Sequence, residues 1–145
     1  MTAENFLEQY GDITAKIRRK QRLKENLEAQ MYNVTSHLTP DKVQSSGSLQ
    51  KIAEAVEEAL DLEEEIKELY KLKNKVRKEI EYVLDRISDI RLCEVLYEKY
   101  LLLTPEETIA EVIDRSEDRV SKLIKEGQEE VQRILDKEMP AVAED

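Results

Sequence analysis

Three glycines and three prolines in 145 residues are too few to turn an antiparallel sheet back on itself again and again. Aromatic residues make up only 5% of the chain and tryptophan is absent, so any core is mainly aliphatic. The single cysteine, Cys93, excludes an intramolecular disulfide, and because it lies among apolar residues with no His or Asn constellation beside it, it reads as a buried, reduced core thiol and not a nucleophile. His37 is also the only imidazole, so paired-histidine metal sites fail. A di-iron helical bundle fails as well, because Glu-x-x-His is missing. No glycine-rich phosphate loop occurs. The expectation is therefore a protein that is not an enzyme and has no cofactor, metal or catalytic residue. No apolar run approaches about 18 residues and no leader-like segment opens the chain, which predicts no membrane association and a cytoplasmic location.

What is abundant is charge. Charged residues make up 39% of the chain, and the formal net charge of −10 opposes unspecific attachment to nucleic acid. A local basic face remains compatible with that total. The apolar residues fall at helical spacing. Phe6, Tyr10, Ile13, Ile17, Lys20, Lys24, Leu27, Met31, Val34 and Leu38 alternate steps of four and three, a heptad seam with two lysines in its middle. This predicts a helix over 3–36, with lysine stems lying along the seam and their ammonium groups in water. Turn chemistry follows in "HLTPDKVQSSGS" (37–48), where His37 is expected to be solvated. A second helix is expected from about Leu49, with Ile52, Val56, Ala59, Leu62, Ile66, Leu69, Leu72 or Lys73, Val76, Ile80, Val83, Ile87 and Ile90 as its seam.

Two such helices can fold back as a long antiparallel hairpin in which contacting residue numbers sum to about 85. Charge supports that register. "KIRRKQRLK" (16–24) holds six basic residues and no acid, and would face the acidic "DLEEEIKEL" (61–69). "KLKNKVRK" (71–78) would face 7–14, with Glu8 and Asp12. The basic blocks read as coiled-coil flanks ahead of a nucleic-acid patch, since no aromatics are interleaved with them. Leu23, Leu60, Tyr70 and Leu84 lie off the seam, which predicts a homodimer through the helical arm.

A shorter helix is expected over 89–103, carrying Leu92, Cys93, Leu96, Tyr97, Tyr100 and Leu101. Thr104-Pro105-Glu106-Glu107 reads as the start of the next helix, with a hydroxyl cap, then proline, then acids. Asp114-Arg115 is a turn, and Ser116 caps a helix running to about Asp136. The small Ala110, with Ile109, Ile113, Val120 and Leu123, has the spacing of a helix-turn-helix core. The fold class expected is all-α: residues 1–88 as the hairpin, 89–136 as the helix-turn-helix, and 137–145 as a disordered tail.

"DKVQSSGSLQKIAEAVEEALDLEEEI" (41–66) and "LYEKYLLLTPEETIAEVIDRSEDRVSKLI" (96–124) resemble a family of small phage and prophage proteins of Gram-positive bacteria. The family joins a long helical region to a C-terminal helix-turn-helix similar to region four of sigma-70-type factors. The resemblance covers nearly the whole chain. It implies a transcription regulator that binds DNA, host RNA polymerase or both, in the cytoplasm of a bacterial host cell. On that reading Ser121 and Lys122 reach base edges, Arg115 and Arg119 meet phosphates, and Lys125 extends the basic face. Two positions depart from the family pattern. Asp114-Arg115 stands where a Gly-aromatic pair is usual, and Glu117-Asp118 where polar or basic residues are usual. From 104 to 135 there are nine acids against five bases.

Two further readings stay open. Glu57, Glu58, Asp61, Glu63, Glu64, Glu65 and Glu68 form an acidic surface that would suit an inhibitor mimicking nucleic acid. Its target would be a host nucleic-acid-binding protein, such as a defence nuclease (a CRISPR effector, for example) or the polymerase. The third reading is a structural coiled-coil adaptor.

Overall fold

In the computed structural model, residues 1–36 and 46–143 are described, and they form helices without a strand. The helices are α1 (Ala3–Ser36), α2 (Ser46–Leu84), α3 (Ile90–Leu96), a π-helical segment (Tyr97–Leu101), α4 (Glu106–Val112), α5 (Glu117–Glu138) and α6 (Pro140–Ala143). Most of the expected 37–48 turn, His37 included, lies outside the described residues, and positions 46–48 already belong to α2. Where a tail was expected after Asp136, α5 continues to Glu138 and α6 adds one turn; 144–145 lie outside the described residues. No helix among the described residues is long and apolar enough to cross a membrane.

The chain divides into two compact units, Met1–Ile13 with Lys73–Asp145, and Thr14–Leu72. In the second unit α1 and α2 meet through Ile17, Ala59, Leu62 and Ile66, all buried. Lys20 and Lys24 are half-buried in this seam, as their spacing demands. Lys20 Nζ reaches Glu65 Oε2 at 2.7 Å, a pair whose numbers sum to 85. Gln21 Nε2 donates to the Tyr70 hydroxyl at 3.1 Å.

The inward face of α2 corrects the expected seam at Val56 and decides between Leu72 and Lys73 in favour of the lysine. Val56 and Leu72 are exposed, while Ala55 and Lys73 are half-buried. The inward face thus runs Ile52, Ala55, Ala59, Leu62, Ile66, Leu69, Lys73, Val76, Ile80, Val83, with threes and fours in strict alternation. Geometry fixes which side of the helix turns inward, so a small alanine takes the place and the larger valine beside it meets solvent. Ile90 is likewise exposed, because the α2 helix has ended at Leu84.

The first unit holds the larger core. Phe6 and Leu7 of α1 are buried with Ile80, Val83 and Leu84 of α2, Leu92, Val95 and Leu96 of α3, and Tyr100 of the π segment. Ile109 of α4 and Val120, Leu123, Val131 and Leu135 of α5 complete it. Each such fully buried aliphatic or phenyl side chain contributes about 1.5–3 kcal/mol relative to exposure. Leu84, expected off the seam with Leu23, Leu60 and Tyr70, is fully buried here, whereas those three are exposed. Polar ties close the unit: the Ala3 amide donates to Gln132 Oε1 at 2.8 Å, and Gln128 Nε2 to the Tyr100 hydroxyl at 2.7 Å. Lys73 of the second basic block lies 5.1 Å from the centroid of the Tyr10 ring, and Arg77 pairs with Glu81 on its own helix.

Candidate nucleic-acid interface

The C-terminal helices are held in place by their caps. Asp89 opens α3 by accepting from the Arg91 amide at 3.0 Å. The Arg91 side chain also donates to Asp89, and this bond holds the carboxyl below its usual range. Thr104 does not cap α4 as its sequence position suggests. Its hydroxyl donates to Glu98 Oε2 at 2.7 Å, and Pro105 occupies the cap position instead. The φ of −60° at Pro105 leads directly into the first turn, where Glu106 and Glu107 place negative charge at the positive end of the helix dipole.

At the other end of α4, the Arg115 amide donates to the Ala110 carbonyl at 3.0 Å and the Asp114 amide to the Glu111 carbonyl at 3.3 Å. That pair of bonds is a Schellman closure, which needs a left-handed residue between the helix and its exit. Asp114 takes that conformation, with φ 55°. Ser116 then caps α5, its hydroxyl accepting from the Arg119 amide at 3.2 Å.

The expected inner residues gather as the spacing requires. Ile109, Ala110, Val120 and Leu123 are buried, and Ile113 packs half-buried against them. α5 presses close to α3 at Gly127. A Cβ there would lie 2.8 Å from Leu96 Cδ1 and 2.9 Å from Leu96 Cγ. Sequence reasoning gave Gly127 no part in the fold; its one signal was a glycine standing at a buried position of α5 between Leu123 and Val131.

Outside this core stand the five candidate contact residues. Arg115, Ser121, Lys122 and Lys125 are exposed and Arg119 is half-buried. Arg119, Lys122 and Lys125 follow at steps of three along α5, while Arg115 lies in the turn. None of the four cations pairs with a carboxylate among the described residues. In the same unit Arg91 binds Asp89, Lys99 lies 3.9 Å from Glu106, Arg86 lies 3.5 Å from Glu138 and Arg133 binds Glu130, while Lys75, Lys78 and Lys137 form no ion pair among the described residues. Asp114, Glu117 and Asp118 are exposed beside the free cations, so the surface is mixed in sign.

The acidic candidates lie on α2. Glu65 is taken up by Lys20, Glu68 by Lys71 at 3.2 Å and Glu64 by Lys67 at 3.9 Å. Glu57, Glu58 and Asp61 are exposed and form no ion pair among the described residues. Cys93 donates its thiol to the Leu84 carbonyl at 3.5 Å, and burial pushes its pKa up, the opposite of what a nucleophilic thiolate needs. No cluster of three potential metal ligands occurs among the described residues. Comparison with protein families, with curated proteins and with solved structures finds no match to this chain.

Proposed function

We propose that the chain is a helix-turn-helix transcription regulator of the sigma-region-four-like kind, acting on DNA, on RNA polymerase or on both. In this reading α4, the turn at 113–116 and α5 form the DNA-reading unit, and α1 and α2 form an antiparallel hairpin that serves as its arm. One observation carries the reading. Arg115, Arg119, Lys122 and Lys125 stand together, one in the turn and three at steps of three along α5, and none pairs with a carboxylate among the described residues of this strongly acidic protein. Four cations at the turn and the first three turns of a helix suit phosphates flanking a groove, and Ser121 among them suits a base edge. Fluorescence anisotropy on labelled duplexes at several salt concentrations tests it. Neutralising up to four phosphates gives a log–log salt slope of about −3 to −4. Absence of binding at low salt would remove the DNA-reading function.

The unpaired Glu57, Glu58 and Asp61 favour a second reading, in which α2 presents phosphate-like charge to a host nucleic-acid-binding protein. Direct binding of this chain to such a protein in the absence of any duplex separates the two readings, since only the second predicts a complex that forms without DNA and is displaced by added duplex.

A further inference from the structure

In the unit Thr14–Leu72, a shallow groove runs between α1 and α2, lined by Lys16 and Lys20 of α1 and by Glu65, Glu68, Leu69 and Leu72 of α2. Leu72 is 44% exposed there. Lys16, Arg19 and Leu23 succeed one another at steps of three and four, so they share a face of α1, and Leu23 continues the apolar line at 51% exposure. The edge made by α1 is basic and the edge made by α2 is acidic, with Asp61 extending it. Lys16, Arg19 and Asp61 have no ion-pair partner among the described residues.

We propose that this groove docks a second copy of the same chain, α1 of each copy lying on α2 of the other. A surface with one basic and one acidic edge is complementary to itself under a two-fold axis parallel to the helices, because that rotation sets each basic edge on the partner's acidic edge. The other two-fold, perpendicular to the helices, sets α1 on α1 and α2 on α2, basic on basic and acidic on acidic. Charge therefore selects one arrangement and one stoichiometry. It brings Arg19 of each copy to the Glu68 region of the other, and closes Leu23 and Leu72 from water in a four-helix packing. This interface is independent of the DNA reading, which rests on residues of the other unit.

The test is sedimentation equilibrium of the full chain through the micromolar range, with circular dichroism on every variant to verify helicity. The wild type is expected at twice the chain mass of 16.9 kDa. Leu72→Glu weakens self-association by about thirtyfold or more, as loss of a central interface contact does. Arg19→Glu and Glu68→Lys each weaken it by a few-fold, and the two together restore it, because the reversed pair again matches across the axis. Leu60→Glu, about a third of a turn around α2 from Leu72, leaves it unchanged. A wild type that stays monomeric overturns the proposal. So does a dimer that Leu60→Glu dissociates while Leu72→Glu leaves it intact, or a double charge reversal that fails to restore what the single reversals lose.

Discussion

The amide of Arg115 closes onto the carbonyl of Ala110 at 3.0 Å, and this one bond leaves Asp114 between them in the left-handed region at φ 55°. For an L-residue that conformation costs about 1–2 kcal/mol, less for Asp than for most because its short side chain finds local partners. Asp114→Gly is therefore expected to raise stability by roughly 0.5–1 kcal/mol in urea melts. Asp114→Val should lower it by about 1–2 kcal/mol or more, since a β-branched residue is a true outlier there. Equal stability of the glycine and valine variants would show that the closure does not form in solution.

A second expectation concerns the close approach of α5 to α3. In an exposed helix Gly→Ala gains roughly 1 kcal/mol from propensity alone. At Gly127 the added methyl would sit 2.8 Å from Leu96 Cδ1, and Leu96 is fully buried with nowhere to retreat. Overpacking costs about 1–3 kcal/mol, so Gly127→Ala should destabilise on balance. Adding Leu96→Ala to the Gly127→Ala background should cost less than Leu96→Ala alone costs in the wild type. Thermal melts of the four proteins measure that coupling directly.

These two sites mark where sequence reading succeeds and fails. The turn at Asp114 and the cap at Ser116 could be read because each depends on a few adjacent residues whose backbone preferences are strong. The role of Gly127 could not, because a glycine inside a helical pattern looks like a weakness until Leu96 is known to lie against it. The same applies to α2. The heptad period was legible, yet Val56 looked the better core residue than Ala55, and only the strict alternation of steps turns the alanine inward. The four candidate cations could be picked out by type and spacing. That they lack carboxylate partners could not, since pairs such as Arg86 with Glu138 join residues far apart in the chain. Leu84 was misplaced for a related reason: its burial comes from helices much later in the sequence.

Alkaline pH should loosen the unit formed by Met1–Ile13 and Lys73–Asp145. Burial raises the pKa of Tyr97, which also donates to Asp85 at 2.9 Å, and burial raises that of Tyr100. Both start from an ordinary value of 10, and the Cys93 thiol is raised from 9.0. The unfolded chain releases these protons at lower pH than the folded one, so the stability tied to the neutral forms is complete below about pH 9. It is lost as pH climbs past 9 to 10 and through the raised values. Melting temperatures from pH 8 to 11 should fall steadily, and less steeply in Tyr97→Phe, which has no phenol to ionise. A flat profile in the wild type would mean that these groups titrate as they do in water.

The last expectation concerns the surface around α5. If Lys122 and Lys125, both exposed and unpaired, each neutralise a phosphate, Lys122→Ala or Lys125→Ala should reduce the salt slope by about one unit and weaken binding to all sequences alike. Ser121→Ala should leave the slope unchanged and flatten the preference among duplexes, because a base-edge contact carries sequence information and no counterion. Glu117 pulls in the opposite direction: it is exposed in the first turn of α5, where a carboxylate favours the helix and repels a phosphate backbone. Glu117→Lys should therefore cost about 0.3–1 kcal/mol of stability while strengthening binding to random duplex. The two effects have opposite signs, so one variant measured by both melting and anisotropy distinguishes a DNA-facing helix end from one that faces solvent alone. A stability loss without tighter binding would place the N-terminus of α5 away from DNA.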